Sequence, residues 1–294
     1  MPRNSMAPSQ KDYSSISPSA KSLLLMKGYT NIPYARETAA LMQGSEVFDL
    51  SFDEQDFWFW IRVMHFEARY WSIDQLLKQT ECKNILELSS GYSLRGLNLC
   101  IKDDTVHYID TDLPEVIATK EDMINHLQLA NESKGRFELL PLNALDTAAF
   151  ENTASRFNAN PLAIVNEGLL MYLNMDEKRQ LCKSIHNILK KHGGYWVTAD
   201  VYIKRSAEMT AELPQSKSEA TFFQQHNIEE NKFDSYPAAE AFFKEQGFEL
   251  VKEATINYAE LSVMPHLVKV MPEQVRNSKE PPPKIQATWM LKAI

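Results

Sequence analysis

Two apolar runs in the 294-residue chain end in groups suited to holding a polar ligand. NILELSSGYSLRG, from Asn84 to Gly96, carries Glu87 and then the small residues Ser89, Ser90 and Gly91. HYIDTDLPEV carries Asp110 and Asp112, 23 and 25 residues beyond Glu87. A small-residue turn between a strand and a helix presents backbone N–H groups and a helix N-terminus to an anionic group. A carboxylate ending the next strand accepts hydrogen bonds from a pair of hydroxyls. Period-two geometry puts Asp110 and Asp112 on the same strand face, so spacing leaves open which of them does so. Asp112 has a second reading, as N-cap of a helix opening at Leu113-Pro114. A pyrophosphate resting on bare backbone calls for G-x-G-x-x-G, which this turn lacks. The turn therefore suits a ligand without phosphates.

The elements that would position these groups alternate. NILELS, TVHYID, RFELLPLNAL, PLAIVNEG and YWVTADVYI read as buried strands, separated by helical patterns such as LPEVIATKEDMINHLQLA and MDEKRQLCKSIHNILKK. Strands separated by helices imply an α/β fold, a doubly wound, Rossmann-like sheet with helices on both faces. After Asp200 come a polar stretch, a helix at YPAAEAFFKEQGF, a strand at ELVKEATI and a final strand at IQATWMLKAI. No helix long enough for a crossover is expected between the last two, so the sheet should hold seven strands with the last one antiparallel beside the strand near Val251. Ahead of the sheet, residues 19–80 have helical spacing and form an expected cap over one mouth of the site. Its aromatic stripe, Phe57, Trp58, Phe59, Trp60, Phe66, Tyr70 and Trp71, reads as core packing or as a pocket lining. The domain reading is thus a flexible tail at 1–18, a cap at 19–80 and a main domain at 81–294. An insertion near 204–235 within it is either an active-site lid or a surface excursion.

Composition bounds the class. Apolar residues make up 44% and charged residues 24%, so the chain folds as a globular protein, and a formal charge of −8 argues against nucleic acid as a partner. Cys82, Cys100 and Cys182 stand far apart with no C-x-x-C, which predicts buried thiols, no metal and a reduced, cytoplasmic setting. No run is apolar for long enough to suggest a membrane span, and the oligomeric state is not legible.

S-adenosylmethionine answers to the ligand outlined above. It has an ammonium and a carboxylate at one end, ribose hydroxyls in the middle and an adenine that needs edge contacts, and it has no phosphate. NILELSSGYSLRGLNL, HYIDTDLPEVIATK and LAIVNEGLLMYLNMDEKRQL together resemble the leucine carboxyl methyltransferase family of S-adenosylmethionine-dependent enzymes, over about residues 17–200. That family includes bacterial O-methyltransferases acting on polyketide-type molecules. The resemblance implies that Arg69 reaches the methionine carboxylate and Glu167 faces its ammonium. It further implies that Ser89 and Gly91 form the cofactor turn, that Asp112, more than Asp110, takes the ribose, and that Asn143 and Ala144 meet adenine. Two departures stand out. Ser89-Ser90-Gly91 replaces a Gly-Ala-Gly turn, and serine does not enter positive φ cheaply. Asn143 stands for an aspartate, although it both donates and accepts.

Methyl transfer from a sulfonium demands in-line geometry and exclusion of water. An ionised carboxylate acceptor needs no base, which suits the absence of a histidine beside an acid in these motifs, whereas a hydroxyl acceptor must lose a proton. Tyr172 and Arg69 are the expected catalytic residues, Tyr172 holding the acceptor oxygen unless it is core packing, and Arg95 is either a motif residue or a solvent-facing helix residue. The reading is an O-methyltransferase acting on a carboxylate, or a hydroxyl, of a small molecule or peptide terminus. The alternatives are a non-catalytic binding relative and a nucleotide-dependent oxidoreductase.

Overall fold

The computed structural model describes residues 17–42, 52, 54–158, 161–204, 217–278 and 283–294. The expected tail (1–18) lies outside these apart from its last two residues, as does the first part of the 204–235 insertion. Seven strands form one sheet in the order β3-β2-β1-β4-β5-β7-β6. β1 (Asn84–Leu88), β2 (His107–Asp112), β3 (Arg136–Pro141), β4 (Leu162–Asn166) and β5 (Gly194–Tyr202) run parallel. β7 (Gln286–Ala293) lies antiparallel between β5 and β6 (Phe248–Glu253), the arrangement expected for the last strand. The chain reverses at β1: β2 and β3 lie on one side, β4 and β5 on the other. The carboxyl ends of β1 and β4 therefore flank a crevice, which is where doubly wound sheets bind ligands.

The central strands β1 and β4 are buried along their whole length, in keeping with their mostly apolar sequences NILEL and LAIVN. One face of the sheet is covered by α6 (Thr147–Ala154), α7 (Met175–His192) and α9 (Tyr236–Glu245), which surround Trp196, Phe243 and Trp289. α7 starts at a capping box, Asn174 with Glu177, so the chain leaving the site turns into helix at a defined residue. The other face carries α3 (Phe57–Thr80), α4 (Arg95–Lys102) and α5 (Pro114–His126). Asp56 caps the long α3 by accepting the N–H of Phe59.

α1 (Ser17–Lys27) and α2 (Ala35–Leu41) pack on each other, and α1 also packs on α3. Much of the aromatic stripe on α3 proves to be core: Phe59, Trp60 and Tyr70 are buried, the first two against Leu261, Val263 and Leu267 of the β6–β7 connection. That connection holds two short helices, α10 (Met264–Val270) and α11 (Glu273–Arg276), where only a loop was anticipated. Its anchor is Glu67, buried on α3, which accepts the N–H groups of Ser262 and Val263 and the Ser262 hydroxyl. The described part of the insertion, α8 (Lys217–Gln225) and residues 226–233, returns to β5, where Ile203 bridges Phe233. Lys178 on α7 rivets it there, donating to the carbonyls of Leu173 and Asn231.

Candidate active site

Glu167 follows β4 directly and is the hub of the crevice. Its Oε1 accepts from Lys27 Nζ at 2.7 Å and Arg69 Nη2 at 3.2 Å, and its Oε2 accepts from Arg95 Nη2 at 3.1 Å. Burial pushes this carboxyl up, but Lys27, Arg69 and Arg95 outweigh it and hold Glu167 at about 2. The loop carrying it is fixed by Asp200 near the end of β5. Asp200 accepts the successive N–H groups of Gly168, Leu169 and Leu170, at 2.6, 2.7 and 3.1 Å, and the Asn166 amide. Gly168 takes φ +84 there, a conformation open to glycine and strained for other residues.

Arg95 is fully buried, which settles its two readings against solvent. It meets Asp74, Glu87 and Glu167 through its guanidinium and lies 3.9 Å above the Tyr70 ring. Glu87 in turn accepts from the Tyr108 hydroxyl at 2.6 Å. Arg95 is shared among Asp74, Glu87 and Glu167, Lys27 and Arg69 both reach Glu167 Oε1, and Arg69 Nε is buried with no partner among the described residues.

At the β1–α4 turn, Ser89 adopts φ 51 and Gly91 φ 55. Serine thus follows the left-handed path that glycine takes without strain. Gly91 N–H donates to Asp112 Oδ2 and Leu113 N–H to Asp112 Oδ1, each at 2.7 Å. Asp112 thus braces the turn. It is not the N-cap of α5, since the cap residue is Leu113 and no side chain caps that helix. Asp110 is differently placed: fully buried, it accepts from Lys120 Nζ at 2.8 and 2.9 Å and from the Ser90 hydroxyl. Asn143 follows β3, half-buried, with its side-chain oxygen on the N–H of Leu145, while the Ala144 methyl packs in the main core.

α1 lies over this turn. A β-carbon on Gly91 would stand 3.6 Å from Ala20, and Ala20, Leu24, Lys27, Tyr92 and Ser93 line a narrow cleft between α1, α2 and the turn. Tyr172 is buried in the 3₁₀ turn Leu170–Tyr172, with its hydroxyl 2.9 Å from Ser19 Oγ and its ring against Phe222 and His226. Burial pushes its phenol up to about 12. The packing alternative for Tyr172 is thus met by its ring, while its hydroxyl is engaged with Ser19.

Three groups escaped the sequence reading. Lys27 is 140 residues from Glu167, and nothing in SLLLMKG marks that lysine as inward-facing. Asp200 sits inside a strand read simply as buried, although an acid in such a run is itself a signal. His65 approaches Tyr202 Oη at 2.7 Å, and Arg69 Nη1 donates to the same oxygen at 2.8 Å. The pair His107–Glu138, also 2.7 Å, lies at the amino ends of β2 and β3, away from the crevice. No group of side chains able to hold a metal occurs among the described residues, and no helix among them is long and apolar enough to cross a membrane.

Comparison with known proteins places this geometry. No curated protein matches the sequence. Among solved structures, a DUF574 family protein from Streptomyces avermitilis MA-4680 superposes with a TM-score of 0.55 at 13% identity, over 93% of this chain and 97% of that one. Magnesium protoporphyrin IX methyltransferase from Synechocystis PCC 6803, with bound SAH, gives 0.48 at 6% identity over 90% and 96%. The first likeness is one of fold, and the second adds nothing to it. The family model for leucine carboxyl methyltransferase matches residues 19–186, more than half of the sequence, from α1 into α7 and across the Glu167 hub. The chain belongs to the leucine carboxyl methyltransferase family and is an S-adenosylmethionine-dependent methyltransferase.

Proposed function

We propose that the protein methylates an oxygen, carboxylate or hydroxyl, of a small molecule or a peptide carboxyl terminus. Family membership removes the oxidoreductase reading. The observation that carries the proposal is the Glu167 hub: one ionised carboxylate flanked by Lys27 and Arg69, with no partner for Arg69 Nε among the described residues. A zwitterionic amino-acid group fits that charge pattern, its ammonium toward Glu167 and its carboxylate toward Lys27 and Arg69. The residues present therefore suit S-adenosylmethionine, which when bound supplies a methyl group activated by a sulfonium.

In this reading Asp112, already accepting from the turn, takes the ribose hydroxyls, Asn143 reads the adenine edge, and Ser89 and Gly91 shape the turn beneath. Asp110 acts at one remove, its charge satisfied by Lys120. The described residues of the 19–80 cap keep water from the reacting atoms, with α1 over the turn and Tyr172 tied to it through Ser19. Tyr172, a neutral phenol at physiological pH, orients the acceptor oxygen by turning toward it the hydrogen it gives Ser19 in the free protein, and Arg69 holds its neighbours in register.

Calorimetry with S-adenosylhomocysteine tests the cofactor assignment. Binding is expected, and it should weaken by about 1 to 3 kcal/mol in Lys27→Met and in Asp112→Ala. Unchanged affinity in both variants would refute the assignment.

A further inference from the structure

His65 and Arg69 are four residues apart on α3 and so share a face. Both reach the Tyr202 hydroxyl at the carboxyl end of β5, and Arg69 continues to Glu167. His65, Tyr202, Arg69 and Glu167 therefore form one unbroken chain into the crevice. A phenol oxygen offers two lone pairs and one proton. Arg69 can only donate, so it occupies a lone pair, and the Tyr202 proton is left to point at a neutral His65 Nε2 or outward to an acceptor. Burial raises the Tyr202 phenol above its ordinary range, so it passes a proton without being the base. Arg69 never accepts a proton, and Glu167 is an anion committed to three cations. Of the four side-chain types in this chain, the imidazole is the one whose chemistry is to take and give a proton near neutral pH.

Resting on the methyltransferase reading above, we propose that the acceptor is a hydroxyl, an alcohol or a phenol, and that His65 is the base that takes its proton, directly or through the Tyr202 hydroxyl. The acceptor oxygen bonds to the methyl carbon as the carbon–sulfur bond breaks, its electron pair returning to sulfur. The hydroxyl proton passes to His65 Nε2, and in the relayed form Tyr202 gives up its own proton to His65 as it receives the acceptor's. The products are an ether, a neutral thioether and an imidazolium. A carboxylate acceptor is ionised already and would leave this chain without work. Around the pair, among the described residues, the charged groups are Arg69, Arg62 one turn earlier on α3 and held by Glu219 of α8 at 3.0 Å, Asp200 beside Tyr202 on β5, and Glu167 beyond Arg69.

The test uses the full chain with labelled cofactor, a panel of phenols and alcohols and a panel of carboxylic acids, on the wild type, His65→Gln and Tyr202→Phe. Hydroxyls are expected to be methylated with a rate that rises with pH through one ionisation. His65→Gln should abolish that rise and lower kcat by about 10²- to 10⁴-fold, while S-adenosylhomocysteine affinity stays within about twofold. A readout independent of turnover is the visible absorbance of 4-nitrophenol bound to the S-adenosylhomocysteine complex, with a larger phenolate fraction expected in wild type than in His65→Gln at one pH. Methylation confined to carboxylic acids, no methylation of any hydroxyl, or equal phenolate fractions would overturn the proposal. Failure of the wild type to bind S-adenosylhomocysteine would instead overturn the reading beneath it.

Discussion

Replacing Glu167 by Gln tests the hub most directly. The change keeps shape but leaves Lys27, Arg69 and Arg95 around a neutral amide in a buried site. Held at about 2 against an ordinary 4.5, the carboxyl contributes about 3 kcal/mol of stability at neutral pH. Removing one partner from a buried ionic cluster independently suggests about 3 to 5 kcal/mol, so the two routes agree in size. Because the folded value lies below the unfolded one, the contribution is complete above pH 4.5 and is lost as pH falls through about 2. Urea unfolding of the cofactor-free protein at a series of pH values reads this. The variant should be less stable by about 3 kcal/mol or more at pH 7, and the gap should narrow steadily below pH 4.5. A gap under about 1 kcal/mol that does not change with pH would refute the reasoning, since Glu167 would then not be an anion held by the three cations.

The two aspartates of β2 should separate by assay. Asp110→Ala strands the buried Lys120 and should cost about 3 to 5 kcal/mol in denaturant unfolding, whereas Asp112→Ala should chiefly lower S-adenosylhomocysteine affinity in calorimetry. Tyr172→Phe keeps the ring against Phe222 and His226 but removes the hydroxyl near Ser19. Turnover should fall about 10- to 100-fold with cofactor affinity nearly unchanged, as steady-state kinetics beside calorimetry will show. Ser89→Gly relieves a left-handed serine and should raise stability by up to about 1 kcal/mol, seen as a higher Tm, while a lower Tm would mean the serine hydroxyl matters more than its backbone.

Hydrophobic periodicity in the sequence determined the framework by itself. Apolar runs of strand length separated by helical spacing allow few arrangements, and a final pair of strands joined without a helix long enough for a crossover made β7 turning back on β6 the expected pairing. The turn after β1 and the acids near it were legible for the same local reason, since turn chemistry and strand ends are written in neighbouring residues. Tertiary structure decided what locality cannot. A period of two puts Asp110 and Asp112 on one face, and only the arrival of Lys120 from α5 commits Asp110 to an ion pair and leaves Asp112 to brace Gly91. Lys27 and Glu167, 140 residues apart, and His65 and Tyr202, 137 apart, meet because α1 and α3 pack across the carboxyl ends of β4 and β5. Lysine and histidine on a helix look alike in sequence whether they face water or a carboxylate. The packing that removes their water is a property of the whole fold, and so is their chemistry.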